Sequence, residues 1–120
     1  MKDYLIISTS LELLRAPMSD IIYISSDGNY SSIVLANGET RMVTMQLGQI
    51  EVLLSSQAHS NDVKFVRVGR GFIINCEYVF FINLTKQQLV LSDGRLATHT
   101  LTASKDALRN IKLMFENDMK

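Results

Sequence analysis

Apolar and polar residues alternate along this chain in short, strand-sized blocks. Runs rich in Ile, Val, Leu, Tyr and Thr recur at residues 4–9, 11–14, 21–25, 31–36, 39–43, 65–68, 78–83, 88–91 and 95–100, with turn-forming residues between them. That spacing predicts a mainly β domain. Asn37-Gly38 and Asp93-Gly94 each fall between two such runs, and both dipeptides favour the positive φ angles of two-residue hairpin loops, so two hairpins are predicted. Pro17 biases Ala16 toward an extended backbone, and residues 17–20 read as a connecting turn.

Two segments change period and read as helices. Residues 45–55 place Leu47, Ile50, Leu53 and Leu54 on one face, with Thr44 as the N-cap and Gly48 costing about 1 kcal/mol relative to alanine. In residues 104–117, Ser104 is a good cap and Leu108, Ile111 and Phe115 form a core-facing stripe, while Lys105, Arg109 and Lys112 fall on a different face. Residues 57–62 lack periodicity and read as an exposed loop.

The segment 65–75 reads Phe-Val-Arg-Val-Gly-Arg-Gly-Phe-Ile-Ile-Asn, an apolar run broken around Arg70 by Gly69 and Gly71. Glycine inside a strand pattern marks a bulge or the close approach of another molecule, and arginine suits phosphate and guanine edges. A tight turn carrying a solvated arginine satisfies the same residues, and local chemistry leaves both readings open. By alternation Arg67 shares a strand face with Phe65, which predicts a partly buried cation paired with Glu51 or Glu77. Asn75 is predicted to tie down backbone at the end of its run. His99 falls on the same strand face as Ala97 and Leu101, a half-buried position.

A chain of 120 residues with 47% hydrophobic content predicts one domain with a real core. No apolar stretch approaches the length of a membrane helix, and the single Cys76, expected as a small buried hydrophobe, carries no sign of an oxidising compartment; the expectation is cytoplasmic. Twelve basic and twelve acidic residues cancel, which excludes a uniformly basic coat, so DNA binding would need a local patch. Basic residues do cluster at Lys64, Arg67 and Arg70 and again at Lys105, Arg109 and Lys112, with Asp62, Asp106 and Glu116 beside them. Cys76, His59 and His99 stand at no zinc-like spacing, no glycine-rich phosphate loop is present, Asp27-Gly28-Asn29 is a turn signal only, and no nucleophile has a base nearby. The reading is therefore no enzyme, no catalytic residues, no metal and no cofactor.

Taken in order, residues 21–30 (Ile-Ile-Tyr-Ile-Ser-Ser-Asp-Gly-Asn-Tyr), the Leu35-Ala36-Asn37-Gly38-Glu39 hairpin, the segment 65–75 and residues 89–105 resemble the LytTR DNA-binding domain of bacterial response regulators. The resemblance covers roughly residues 11–115. It implies an elongated arrangement of small antiparallel β sheets with one short internal helix and a C-terminal helix, and a function as a bacterial transcription regulator that binds promoter double-stranded DNA. Such domains insert loops into successive major grooves at direct repeats and use no recognition helix. Three surfaces correspond by position: Asn29, Tyr30 and Ser31; Gly69, Arg70 and Gly71; and Ser104 and Lys105 with Arg109 on the last helix. Arg70 can give two hydrogen bonds to guanine, Tyr30 can reach a phosphate or a thymine methyl, and Lys105 sits where a helix N-terminus also attracts phosphate. Ordinary readings stand beside these: Tyr30 a strand aromatic, Ser104 a cap, Lys105 a solvated lysine.

Three departures from the family pattern matter. Gly69 stands where a histidine commonly precedes the arginine, Gly71 replaces a serine or asparagine and is expected to loosen the loop, and no receiver domain is read before this one, so either a stand-alone regulator or the output part of a longer protein is expected. A separate signalling partner and a homodimer on tandem sites are compatible with the resemblance. A β-rich protein-interaction module that kept the fold and lost DNA binding is the alternative, and a large exposed apolar patch is what would favour it.

Overall fold

The computed structural model describes residues 2–95 and 97–119. It is mainly β, built of small antiparallel sheets with two α-helices, as the block pattern predicts. The chain divides into two compact units between Glu77 and Tyr78.

In the first unit, strands β1 (Tyr4–Ser8) and β2 (Leu13–Pro17) pair as a hairpin. Strands β3 (Ile21–Asp27), β4 (Tyr30–Leu35), β5 (Thr40–Val43), β6 (Phe65–Val68) and β7 (Phe72–Asn75) form a second sheet in the order β5-β4-β3-β7-β6. Helix α1 (Leu47–Gln57) packs on β1, β3 and β7. The core lies between these layers and is almost wholly aliphatic, with Leu5, Ile7, Met18, Ile24, Ile33, Ile73, Leu47, Ile50 and Leu54 at its centre. Alternation selects this set: Ile24 sits directly between Ile33 and Ile73 on one sheet face. A register shift between Ile21 and Tyr23 buries both Ile21 and Ile22 despite their adjacency.

The second unit contains β8 (Val79–Asn83), β9 (Gln88–Ser92) and β10 (Thr98–Thr102) in the order β10-β9-β8, with helix α2 (Lys105–Asp118) against β8. Leu89, Leu91 and Leu101 are buried on one face of the sheet, and α2 buries Leu108 and Ile111, with Phe115 partly buried, as its stripe predicts. His99 lies opposite Leu91 and is half-buried.

Several local expectations give way to competing contacts. Leu11 is 92% exposed in a turn closed by Thr9 and Glu12, and the strand begins only at Leu13. The Asn37-Gly38 hairpin closes with a three-residue loop, because Leu35 pairs with Glu39 and only Gly38, at φ +93°, takes the left-handed conformation. In the Asp93-Gly94 hairpin the return strand starts at Thr98, leaving Arg95 in the loop; Leu96, part of the expected strand, lies outside the described residues. Gln46, two residues past Thr44, is the N-cap of α1, and its N–H donates to the Gln49 side chain at 2.9 Å. Residues 57–62 are tied down rather than free: Gln57 exchanges two hydrogen bonds with the Ile6 backbone, at 2.8 and 3.0 Å, and Ser60 donates twice to the Asp3 carboxylate. Cys76 is half-buried rather than fully inside.

Asn75 performs the backbone-tying role read from the sequence. Fully buried, it donates to the Ile21 carbonyl at 3.0 Å and accepts from the Glu77 N–H at 3.0 Å, linking the start of β3 to the end of β7. Asn75→Ala leaves both groups without this partner and is expected to cost about 3 kcal/mol, measurable as a lowered urea midpoint at unchanged slope.

Candidate nucleic-acid interface

The order of the large sheet brings two of the three sequence-predicted surfaces together. Strand β3 is paired with β4 on one side and β7 on the other, so the β3–β4 turn and the β6–β7 turn emerge from the same sheet end. The Ser26 N–H donates to the Gly71 carbonyl at 2.8 Å, one step beyond the last strand pair, and fastens one turn beside the other.

Asp27 pairs with Tyr30, leaving Gly28 and Asn29 as a two-residue loop. Gly28 has φ +66°, the conformation a II′ turn demands at its first central position. Asn29 and Tyr30 are exposed, and Asp27 places one carboxylate beside them. Ser31 differs from its expected role: its side chain is fully buried and its hydroxyl donates to the Met45 carbonyl at 2.7 Å. It braces the connection between β5 and α1 and offers nothing to a ligand from this position.

In the second turn Val68 pairs with Phe72, so residues 69–71 form the loop. Gly69 has φ +60°, a backbone that side-chain-bearing residues adopt at a cost and that glycine adopts freely. Gly71 is not in the left-handed region, and a Cβ there would meet nothing within 4 Å. The loop is more tethered than two glycines imply. Its Gly71 carbonyl is held by Ser26, and its Arg70 carbonyl accepts from Arg67 Nη2 at 3.1 Å. Arg67 is the partly buried, paired cation that alternation predicts, with Nη1 3.1 Å from Glu51 Oε1 on α1. The Arg70 guanidinium is exposed and makes no ion pair or hydrogen bond among the described residues. On the sheet face behind this loop, Tyr23 and Phe72 meet edge-on with ring centroids 6.2 Å apart, and burial pushes the Tyr23 phenol up from its ordinary value.

The third surface belongs to the second unit. Ser104 caps α2, its hydroxyl accepting from the Ala107 N–H at 3.1 Å, and both Ser104 and Lys105 are exposed. Lys105 has no carboxylate partner among the described residues, whereas Arg109 is held by Asp106 at 2.9 Å and Lys112 by Glu116 at 3.0 Å. The surplus positive charge of this helix start is therefore Lys105. Gln87, to which the sequence drew no attention, fixes the approach to it. Gln87 has a positive φ, +54°, unlike any other non-glycine among the described residues; its carbonyl accepts from the Ala103 N–H and its side-chain amide donates to the Ala103 carbonyl, each at 3.3 Å, immediately before the cap. Only a left-handed backbone, which sequence does not announce at glutamine, signals this role.

The structure thus shows paired turns at one sheet end, and, unpaired among the described residues, an arginine on one turn and a lysine at a capped helix start. The family model for the LytTr DNA-binding domain matches residues 12–116. The chain belongs to the LytTr DNA-binding domain family. Among solved structures, it is similar to a LytTr DNA-binding domain from a Bacillus cereus protein described as a methyl-accepting/DNA response regulator, with 19% identity, a TM-score of 0.64, and coverage of 96% of this chain and 98% of that one. At that identity the likeness bears on the fold. No curated protein matches the chain. A single LytTr model thus spans both compact units, and residues 29–31, 69–71, 104, 105 and 109 all lie within it.

Backbone geometry separates the two loop glycines. Gly69→Ala is expected to destabilise the protein by about 1 to 2 kcal/mol through its left-handed φ, while Gly71→Ser stays within about 0.5 kcal/mol of the parent. Urea denaturation of the two variants side by side checks the contrast.

Proposed function

We propose that this LytTr domain is a promoter-binding transcription regulator that reads the major groove of direct repeats with loops rather than with a helix. Arg70 approaches a base edge or phosphate, Asn29 and Tyr30 flank it on the neighbouring turn, and Gly69 and Gly71 keep the space around the arginine clear. Ser104 and Lys105 hold a phosphate at the start of α2, where exposed N–H groups and the positive end of the helix dipole add to the lysine charge. The observation that carries this reading is the state of Arg70: exposed, unpaired among the described residues, and mounted on a backbone held at two consecutive carbonyls. A fixed backbone lowers the ordering cost of binding. Arg109, held by Asp106, stands behind Lys105 as a secondary contributor, and Ser31 contributes through the backbone it braces.

Net neutrality suits such a site, since contact through a few local cations needs no overall positive field. One observation favours the alternative, a protein-interaction module: Phe80 and Phe81, on the edge strand β8, are 74% and 48% exposed. The two readings use different surfaces and are separable by variants.

Titration of a fluorescein-labelled random-sequence duplex at two salt concentrations tests the first reading, because charge-driven binding must weaken as salt rises. On a duplex selected by the parent chain, Arg70→Ala is expected to weaken binding by about 1 to 3 kcal/mol without altering thermal stability. Lys105→Ala is expected to weaken binding uniformly across sequences and to reduce the salt slope by about one. An absence of binding at low salt would transfer the assignment to the aromatic pair on β8.

A further inference from the structure

Three observations converge on Arg67. Its guanidinium is a bridge, with Nη1 donating to Glu51 on α1 and Nη2 donating to the carbonyl of Arg70, each at 3.1 Å. A planar fork suits two acceptors lying in different directions, whereas a lysine ammonium lacks that fixed geometry. Its Nε is buried without a hydrogen-bond partner among the described residues. A side chain packed only for stability would not ordinarily leave an N–H unpaired, so the position is set by what the two Nη groups reach.

The tethers are also placed in a pattern. The Gly71 carbonyl is anchored sideways to β3 through Ser26, and the Arg70 carbonyl is anchored through Arg67 to a carboxylate on the exposed side of α1. Arg70's backbone is therefore referenced to two separate elements of the first unit, while its side chain is left unencumbered.

We infer that Arg67 and Glu51 are positioning residues for DNA recognition: through the Arg70 carbonyl, their ion pair fixes the direction in which the Arg70 side chain leaves the loop. This inference rests on the reading of Arg70 as a DNA contact. It makes a prediction of opposite sign to simple electrostatics. Removing the Glu51 carboxylate makes the protein more positive, which by general attraction to a polyanion tightens binding. Positioning requires that the same change weaken it.

The test is a fluorescence-anisotropy titration of a labelled duplex enriched from a random pool by the unmodified chain. The variants are Glu51→Ala, Arg67→Met and Arg70→Ala, and each of the first two combined with Arg70→Ala, with urea midpoints measured in parallel. Glu51→Ala is expected to weaken binding about 2- to 5-fold and Arg67→Met about 3- to 10-fold, with the salt slope unchanged. In the Arg70→Ala background both effects should vanish, because no side chain remains to be aimed. Tighter or unchanged binding by Glu51→Ala overturns the inference. So does an Arg67→Met effect that persists undiminished beside Arg70→Ala with the salt slope lowered by about one, which would make Arg67 a phosphate contact itself. Should Arg67→Met not fold, Glu51→Ala, at an exposed helix position, decides alone. If Arg70→Ala leaves binding unchanged, the contact reading fails; if it weakens binding while Glu51→Ala does not, only the positioning role fails.

Discussion

The central place of β3, paired on both edges, governs the rest of the first unit. Because β4 and β7 each run antiparallel to it, the turns that enter those partners meet at one end of the sheet and nowhere else. The Ile24 row, flanked by Ile33 and Ile73, buries one face under α1 and the β1–β2 hairpin and so fixes the register. A slip of one residue would turn that row to solvent and separate the two turns. The placement of the two turns and core packing are thus one constraint, set by the same hydrogen-bond ladder.

Charge is distributed economically. A protein with equal numbers of acidic and basic residues has no field of its own to draw in a polyanion, so individual cations matter. Salt bridges occupy Arg41, Arg67, Arg109 and Lys112, each with a nearby carboxylate. Arg70 and Lys105 are left out of such pairs among the described residues, and they are the two cations for which we propose DNA contact. The contrast gives the neutral LytTr domain local poles.

Much of this was legible in the sequence, for physical reasons. Period-two blocks located the strands, and the three- and four-residue spacing of Leu108, Ile111 and Phe115 located α2, because burial enforces both periods. Alternation sufficed to assign Arg67 as a paired, partly buried cation, and a lone asparagine ending an apolar run sufficed for Asn75. The missed features are those in which a distant backbone group outbids a local signal. Thr44 lost the cap of α1 to the reciprocal Gln46 and Gln49 arrangement, and the loop after α1 was captured by Ile6 and Asp3 across more than fifty positions of sequence. Ser31 shows the limit within the site. Position in a motif says that a serine lies beside the turn, but only strand parity, with Ser31 facing inward next to exposed Tyr30, says that its hydroxyl serves Met45.

The unlike backbones of the two loop glycines also bear on how such a domain diversifies. Position 69 is conformationally closed, since its left-handed backbone taxes every side chain whatever the chain would gain from it. Position 71 is open: its φ is ordinary and the space beside it is empty. Mutational drift in this loop is therefore channelled to one side of the arginine, and a descendant chain can acquire a new polar neighbour for Arg70 there by a single codon change without first repairing its fold.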